Sequence, residues 1–176
     1  MRRRYLKRRE GFTLIELLIV LAIIGVLMTI GIPIYRGTLE GAKAAVVASN
    51  MRIVVDGLRT DLTVNGKPSV DGVAEGKFYD ASGTYIKVDS KAKGKYYFAY
   101  NDSGSDWKID VAYDYGSANK SFLSKIGDKL AGCDEIYYTN EDVAEKTTGI
   151  SSSTNLEDIN NSRGIICELS FQKIGY

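Results

Sequence analysis

The sequence predicts an α+β protein in which one long N-terminal α-helix, membrane-spanning in its first half, packs its second half on a small antiparallel β-sheet. Three observations lead there. Phe12 to Ile32 is a run of 21 residues whose only charge is Glu16. Beyond Pro33, the residues Val47, Met51, Val54, Leu58 and Leu62 recur at three- and four-residue intervals, which is one face of an α-helix. After residue 63 the period shortens to two: Trp107, Ile109, Val111 and Tyr113 alternate with Lys108, Asp110 and Ala112, the pattern of a half-buried strand. The 176 residues suffice for one ordinary domain with an appendage. The expected division is a basic leader at 1–11, an apolar span at 12–33, an amphipathic helical continuation at 34–63, and an outward β-rich domain at 64–176.

The leader carries Arg2, Arg3, Arg4, Lys7, Arg8 and Arg9 against one acid, Glu10, so the overall charge of +1 hides a basic start and an acidic remainder. Basic residues before an apolar run stay on the cytoplasmic side, which sends the rest of the chain outward. The apolar run extends about 31 Å as a helix, one bilayer core. A cleavable secretory signal has a shorter apolar region followed by small residues at its cleavage site, and neither property is found here. A plain single-pass anchor accounts for length and orientation but not for Glu16. A carboxylate deep in a membrane costs about 2.5–3.5 kcal/mol and usually marks a functional pairing.

These residues resemble a family. "GFTLIE" followed by an unbroken apolar helix is similar to the processing and assembly signal of type IV prepilins. That signal is a short basic leader ending in glycine, then phenylalanine, then glutamate four residues later. Gly11, Phe12 and Glu16 match it, and Pro33, followed by Tyr35, sits where many pilins carry a proline. The resemblance covers about the first 60 residues, and the outer domain brings no comparable signature. It implies that a membrane-embedded prepilin peptidase cuts between Gly11 and Phe12 and methylates the new Phe12 amine. The carboxylate of Glu16 then meets the amine of a neighbouring subunit as it joins a fibre, a strong attraction where the dielectric is low. It further implies a pilin-like fold and an inner-membrane precursor with its C-terminal domain outward, which becomes an extracellular filament of many copies. An assembly platform and partner ATPases drive that assembly, since the sequence has no nucleotide-binding motif. Adhesion, twitching motility and DNA uptake are the uses implied, with contact to a host surface or DNA. A pseudopilin of a type II secretion or competence system is the alternative, because it shares the same signal.

Gly25, Gly31, Pro33, Gly37 and Gly41 cluster where span and continuation meet. Proline removes a helical hydrogen bond and glycine weakens a helix interior, so a break at Pro33, within a bend or meltable stretch from 25 to 41, is expected. Close helix–helix packing through small residues is the other reading. Farther on, Lys43, Arg52, Asp56, Arg59 and Asp61 form a polar helix edge expected to face solvent or another subunit.

In the outer domain "VNGKPSVDG" reads as turn and loop. "TYIKV" at 84–88, "KYYFAY" at 95–100, "WKIDVAY" at 107–113 and "GIICELSF" at 164–171 read as strands, with "NDSGSD" closing a hairpin between the middle two. "NKSFLSKIGDKL" at 119–130 puts Phe122, Ile126 and Leu130 on one face of a short helix. Cys133 and Cys167 enclose 33 residues of polar texture, expected as a long loop. In an oxidising compartment the pair survives as a disulfide, and many pilins close a C-terminal region this way. Two buried thiols are the alternative.

No enzyme is expected. Histidine is absent, which removes the commonest general base and metal ligand, and neither a catalytic triad nor a P-loop appears. The acids of the enclosed segment, Asp134, Glu135, Glu141, Asp142, Glu145, Glu157 and Asp158, lack EF-hand spacing and read as a solvated face with no metal and no cofactor. The tyrosines of the strand segments read as cross-strand packing. Three Asn-x-Ser triplets, at Asn101, Asn119 and Asn160, match a weak glycosylation pattern. The mildly acidic domain argues against a DNA surface, although Lys87, Lys91, Lys93 and Lys95 form a local basic stretch.

Overall fold

The computed structural model describes residues 11–87, 93–145 and 161–173. By compactness the chain divides between Leu39 and Glu40. Helix α1, Leu14–Asn65, runs without interruption through that point.

In the first unit every described side chain is exposed, including the apolar residues from Phe12 to Tyr35. Leu, Ile and Val of this stretch have no protein to pack against. By length and composition α1 is able to cross a membrane. The helix continues through Pro33. Proline removes one bond from a ladder whose neighbouring turns remain intact. On either side, the hydroxyls of Thr29 and Thr38 donate to the carbonyls of Gly25 and Ile34.

The second unit is the head. There α1 buries Ala44, Val47, Ala48, Met51, Val54, Leu58 and Leu62, the stripe that the periodicity predicts. The sheet comprises β1 (Tyr79–Asp80), β2 (Lys95–Asp102), β3 (Asp106–Asp114), β4 (Glu135–Thr139) and β5 (Gly164–Gln172). Its order is β1-β2-β3-β5-β4, with every pair antiparallel. Phe98, Ile109, Val111, Tyr113, Ile165 and Cys167 share one core with the stripe of α1. The tyrosines pack as expected: Tyr96 lies 5.0 Å from Tyr113 and Tyr100 lies 6.2 Å from Trp107, centroid to centroid. Helix α2, Lys120–Gly127, begins at Asn119, whose side chain accepts from the Phe122 amide, and buries Phe122, Leu123 and Ile126.

Several sequence expectations change. "TYIKV" is not a strand: the amides of Thr84, Tyr85 and Ile86 all donate to the Ala81 carbonyl and curl the segment into a turn, and Val88 lies outside the described residues. Tyr85 is the reason. Its ring sits edge-on to Phe98 and its hydroxyl donates to Asp61 at 2.6 Å. A Cβ at Gly57 would come within 2.6 Å of that ring, so the glycine is what lets the tyrosine lie on α1. The polar edge of α1 is correspondingly less free than expected. Asp61 also accepts from the Ser69 amide, Arg52 donates to the Lys129 carbonyl, and Arg59 lies over the Phe171 ring.

The enclosed segment contains β4, the edge strand beside β5, and a short 3-10 turn at Val143–Glu145. Strand β4 escapes the periodicity because Glu135 and Thr139 flank only three apolar residues in a polar context. The turn brings Val143 to the outer face of the sheet, where it joins Phe78, Tyr97, Ala99, Ala112 and Ile166 in a second, smaller core. The strands are therefore covered on both faces, where alternation predicts half-burial.

One consequence is a misplaced charge. Asp110 points to this outer face and is 9% exposed. Glu168 is directly opposite it on β5, and Glu135 is opposite Glu168 on β4. Burial, then the charge of Glu168, raises the Asp110 carboxyl to about 7, with Lys108 opposing. A carboxyl raised in the folded state costs nothing below its unfolded value and progressively destabilises as pH rises to its folded value. Asp110→Asn should therefore match the wild type near pH 4 and exceed it at pH 8 by up to about 4 kcal/mol. Denaturant midpoints of both forms across pH 4–8 check this, and parallel pH profiles would remove Asp110 as the cause.

Candidate functional site

The site predicted from sequence is the start of α1. Gly11 and Phe12 precede the helix, and Phe12 is 89% exposed. Thr13 is the residue just before the first helical position. Its amide and its hydroxyl both donate to Glu16 Oε2 at 2.8 Å, and the Glu16 amide donates back to Thr13 Oγ1 at 3.3 Å. This is a capping box, in which two side chains satisfy amides that the first helical turn leaves without partners. The carboxylate also sits at the positive end of the helix dipole. Glu16 thus has local partners in a single chain. Sequence reasoning passed over Thr13, although "TLIE" is a Thr-x-x-Glu pattern opening an apolar run, a readable capping signature.

The second predicted feature is the cysteine pair. Cys133 and Cys167 are joined, with 5.5 Å between their Cα atoms, and no described cysteine is free. The bond ties the turn before β4 to the middle of β5. Next to it, the Asp134 amide donates to the Glu168 carbonyl at 2.8 Å, and the Asp134 carboxylate accepts from the Ser170 amide at 2.6 Å. The acids expected as a solvated face are thus partly internal acceptors: Glu135 accepts from Tyr137, and Asp142 from Arg163 and from the Ala144 amide. Glu157, Asp158, Asn160 and Lys91 lie outside the described residues, as does the basic leader before Gly11. Of the Asn-x-Ser triplets, Asn119 is engaged in capping α2. Among the described residues no group of three acids or cysteines is placed to hold a metal ion.

Comparison with known proteins bears on the same residues. The prokaryotic N-terminal methylation motif matches residues 6–32. A type IV major fimbrial protein FimA of Dichelobacter nodosus is 32% identical, over 73% of this chain and 81% of its own. A fimbrial protein of the same organism is 35% identical, over 69% and 78%. The fimbrial protein EcpB of Eikenella corrodens is 36% identical over 39% of this chain and 43% of its own. No solved structure matches. The motif, the apolar helix and the helix-on-sheet head define an α+β protein of the class that carries the prokaryotic N-terminal methylation motif. Within that class the chain belongs to the type IV fimbrial, or pilin, family.

Two outcomes follow from this geometry. Thr13→Ala should speed amide exchange at residues 14–17 about fivefold in detergent micelles, since such a cap contributes about 1 kcal/mol; unchanged exchange there would show that the box contributes nothing. Replacing both cysteines by serine should lower the stability of the head by about 3–4 kcal/mol, the loop-entropy value for a segment of this length. Denaturant titration of the full chain measures it, and a loss below 1 kcal/mol would mean the bond only decorates a structure that closes without it.

Proposed function

We propose that this chain is the structural subunit of a type IV pilus. It is made as an inner-membrane precursor whose leader, 1–11, is cut by prepilin peptidase between Gly11 and Phe12, with methylation at Phe12. The span at 12–33 anchors the subunit and then becomes the packed core of the fibre. Of the continuation at 34–63, the part from Glu40 onward belongs to the head with 64–176. The observation that carries this reading is the apolar helix of the first unit, exposed at every described residue from 11 to 39 and continuous with the helix of a folded head, in a chain related over most of its length to major fimbrial proteins. A helix of that composition has two stable environments: a bilayer, or a bundle of identical helices.

Within this reading Glu16 is the docking residue. Its carboxylate enters the fibre near the Phe12 amine of a neighbour, where an unpaired charge on either side is costly. The glycines and Pro33 give the helix a segment that opens during passage from membrane to fibre. The platform and ATPases supply the work. Attachment to surfaces, motility and DNA uptake are the uses such a filament serves, and an outward head with no catalytic constellation suits a structural role.

The test is peptide mass spectrometry on filaments sheared from cells, with wild-type chain and with Glu16→Ala. Wild-type chain should dominate the filaments and begin at a methylated Phe12. The variant should be inserted and cleaved but reach the filaments at a tenth of the wild-type level or less, a loss on the scale of one unpaired buried charge. Normal filament yield from Glu16→Ala would defeat the docking role. Processed wild-type chain found only in the membrane fraction would instead indicate a pseudopilin or a minor pilin.

A further inference from the structure

Asp114 ends β3 where the cysteine-enclosed segment leaves and rejoins the sheet. It is 4% exposed, and its carboxylate accepts four hydrogen bonds. Arg163 supplies two, Nε to Oδ1 at 3.0 Å and Nη2 to Oδ2 at 2.9 Å. The Gly116 amide gives one at 2.7 Å and the Val143 amide one at 3.4 Å. Val143 lies just past β4, and Arg163 immediately precedes β5. One buried carboxylate therefore holds both ends of the stretch between them. Arg163 also reaches Asp142 at 3.4 Å, its amide donates to the Thr139 carbonyl at 2.7 Å, and its carbonyl accepts from the Tyr115 amide at 2.9 Å. The disulfide lies elsewhere. Along the β4–β5 ladder, Cys167 is opposite Ile136, one pair from the end where Glu135 meets Glu168, whereas Arg163 adjoins the opposite end, where Thr139 meets Gly164. The ladder is fastened once at each end, covalently at one and ionically at the other.

We propose that the Asp114–Arg163 pair is a second, non-covalent clasp that holds Val143 and Arg163 against the end of β3 independently of the disulfide, so that this end of the β4–β5 ladder survives reduction of Cys133–Cys167. A bidentate guanidinium–carboxylate contact fixes direction as well as distance, and its burial protects it from salt. The two fastenings share no residue, and each stands on strand pairing that the other does not supply. Removing either alone leaves the ladder pinned at one end; removing both leaves it free to fray from both.

Amide hydrogen exchange on the full chain in detergent micelles, with and without a phosphine reductant, separates the cases. Peptides spanning 139–143 and 163–166 are the readout. The variant D114N/R163Q removes both charges together, so no buried carboxylate is stranded and the fold itself is not put at risk. Wild-type chain should keep its protection on reduction, and the oxidised double variant should keep it too, each within about tenfold. The reduced double variant should lose at least about a hundredfold, the scale of a buried ion pair opened locally. Loss of protection in reduced wild-type chain would overturn the proposal, since the disulfide would then act alone. So would protection retained in the reduced double variant, or lost in the oxidised one. R163Q alone, which strands the Asp114 charge, should expose the same two peptides on reduction as well; if they stay protected, the ion pair is not the clasp.

Discussion

Met51, Val54 and Leu58 meet Phe98, Ile109 and Val111 at full burial, and the head rests on that contact. A five-stranded sheet with an apolar inner face has no independent stability unless something covers it. What covers it is a helix that is itself hydrophobic on every side for its first half. Burial at about 25 cal/mol per Å² favours the stripe, and the same effect acts against the exposed leucines and isoleucines upstream. The chain thus resolves one half of α1 internally and leaves the other to its surroundings. The compactness boundary between Leu39 and Glu40 marks the change. Glu40 is the first residue of the helix to engage the head, accepting from Lys125 at 2.7 Å and from Ser121 at 3.4 Å, and Ala44 is the first buried one. The Lys125 hydrogen bond and charge keep the Glu40 carboxyl below its usual range.

The outer face of the sheet follows different physics. Its small core depends on side chains from the connections, Phe78 and Val143, rather than on a second layer of regular structure. Thin cover of this kind tolerates polar residues if each finds a partner. Asp114 finds Arg163 and two amides. Asp110 faces two more carboxylates in register with only Lys108 nearby, the destabilising cross-strand arrangement. Two buried aspartates on one strand, four residues apart, therefore contribute with opposite sign.

The long helix, its buried stripe, β3, α2 and the last strand were legible because each shows its own period over seven or more residues, and β2 because the turn residues of "NDSGSD" join an aromatic run to β3. The N-terminal methylation motif was legible because a lone charge, Glu16, in an apolar run is conspicuous. What escaped has a common cause: its meaning lies in a partner distant in sequence. β4 is too short to show a period and exists because β5 pairs with it. Tyr85 looked like a strand residue until Gly57 and Asp61 gave it a place on α1. Asp114 and Arg163, 49 positions apart, carry no mark in the sequence at all. Thr13 is the exception, a local signal that was readable.

The capping box also divides the labour of one carboxylate. Both Thr13 bonds fall on Oε2 of Glu16, and a carboxylate has a second oxygen with acceptor sites of its own. A donor from outside the chain could therefore reach Oε1 without taking the first turn's cap away. The start of α1 then keeps its order whether or not such a donor arrives, and the side chain is held in one direction beforehand, so little freedom remains to be lost when a donor does arrive.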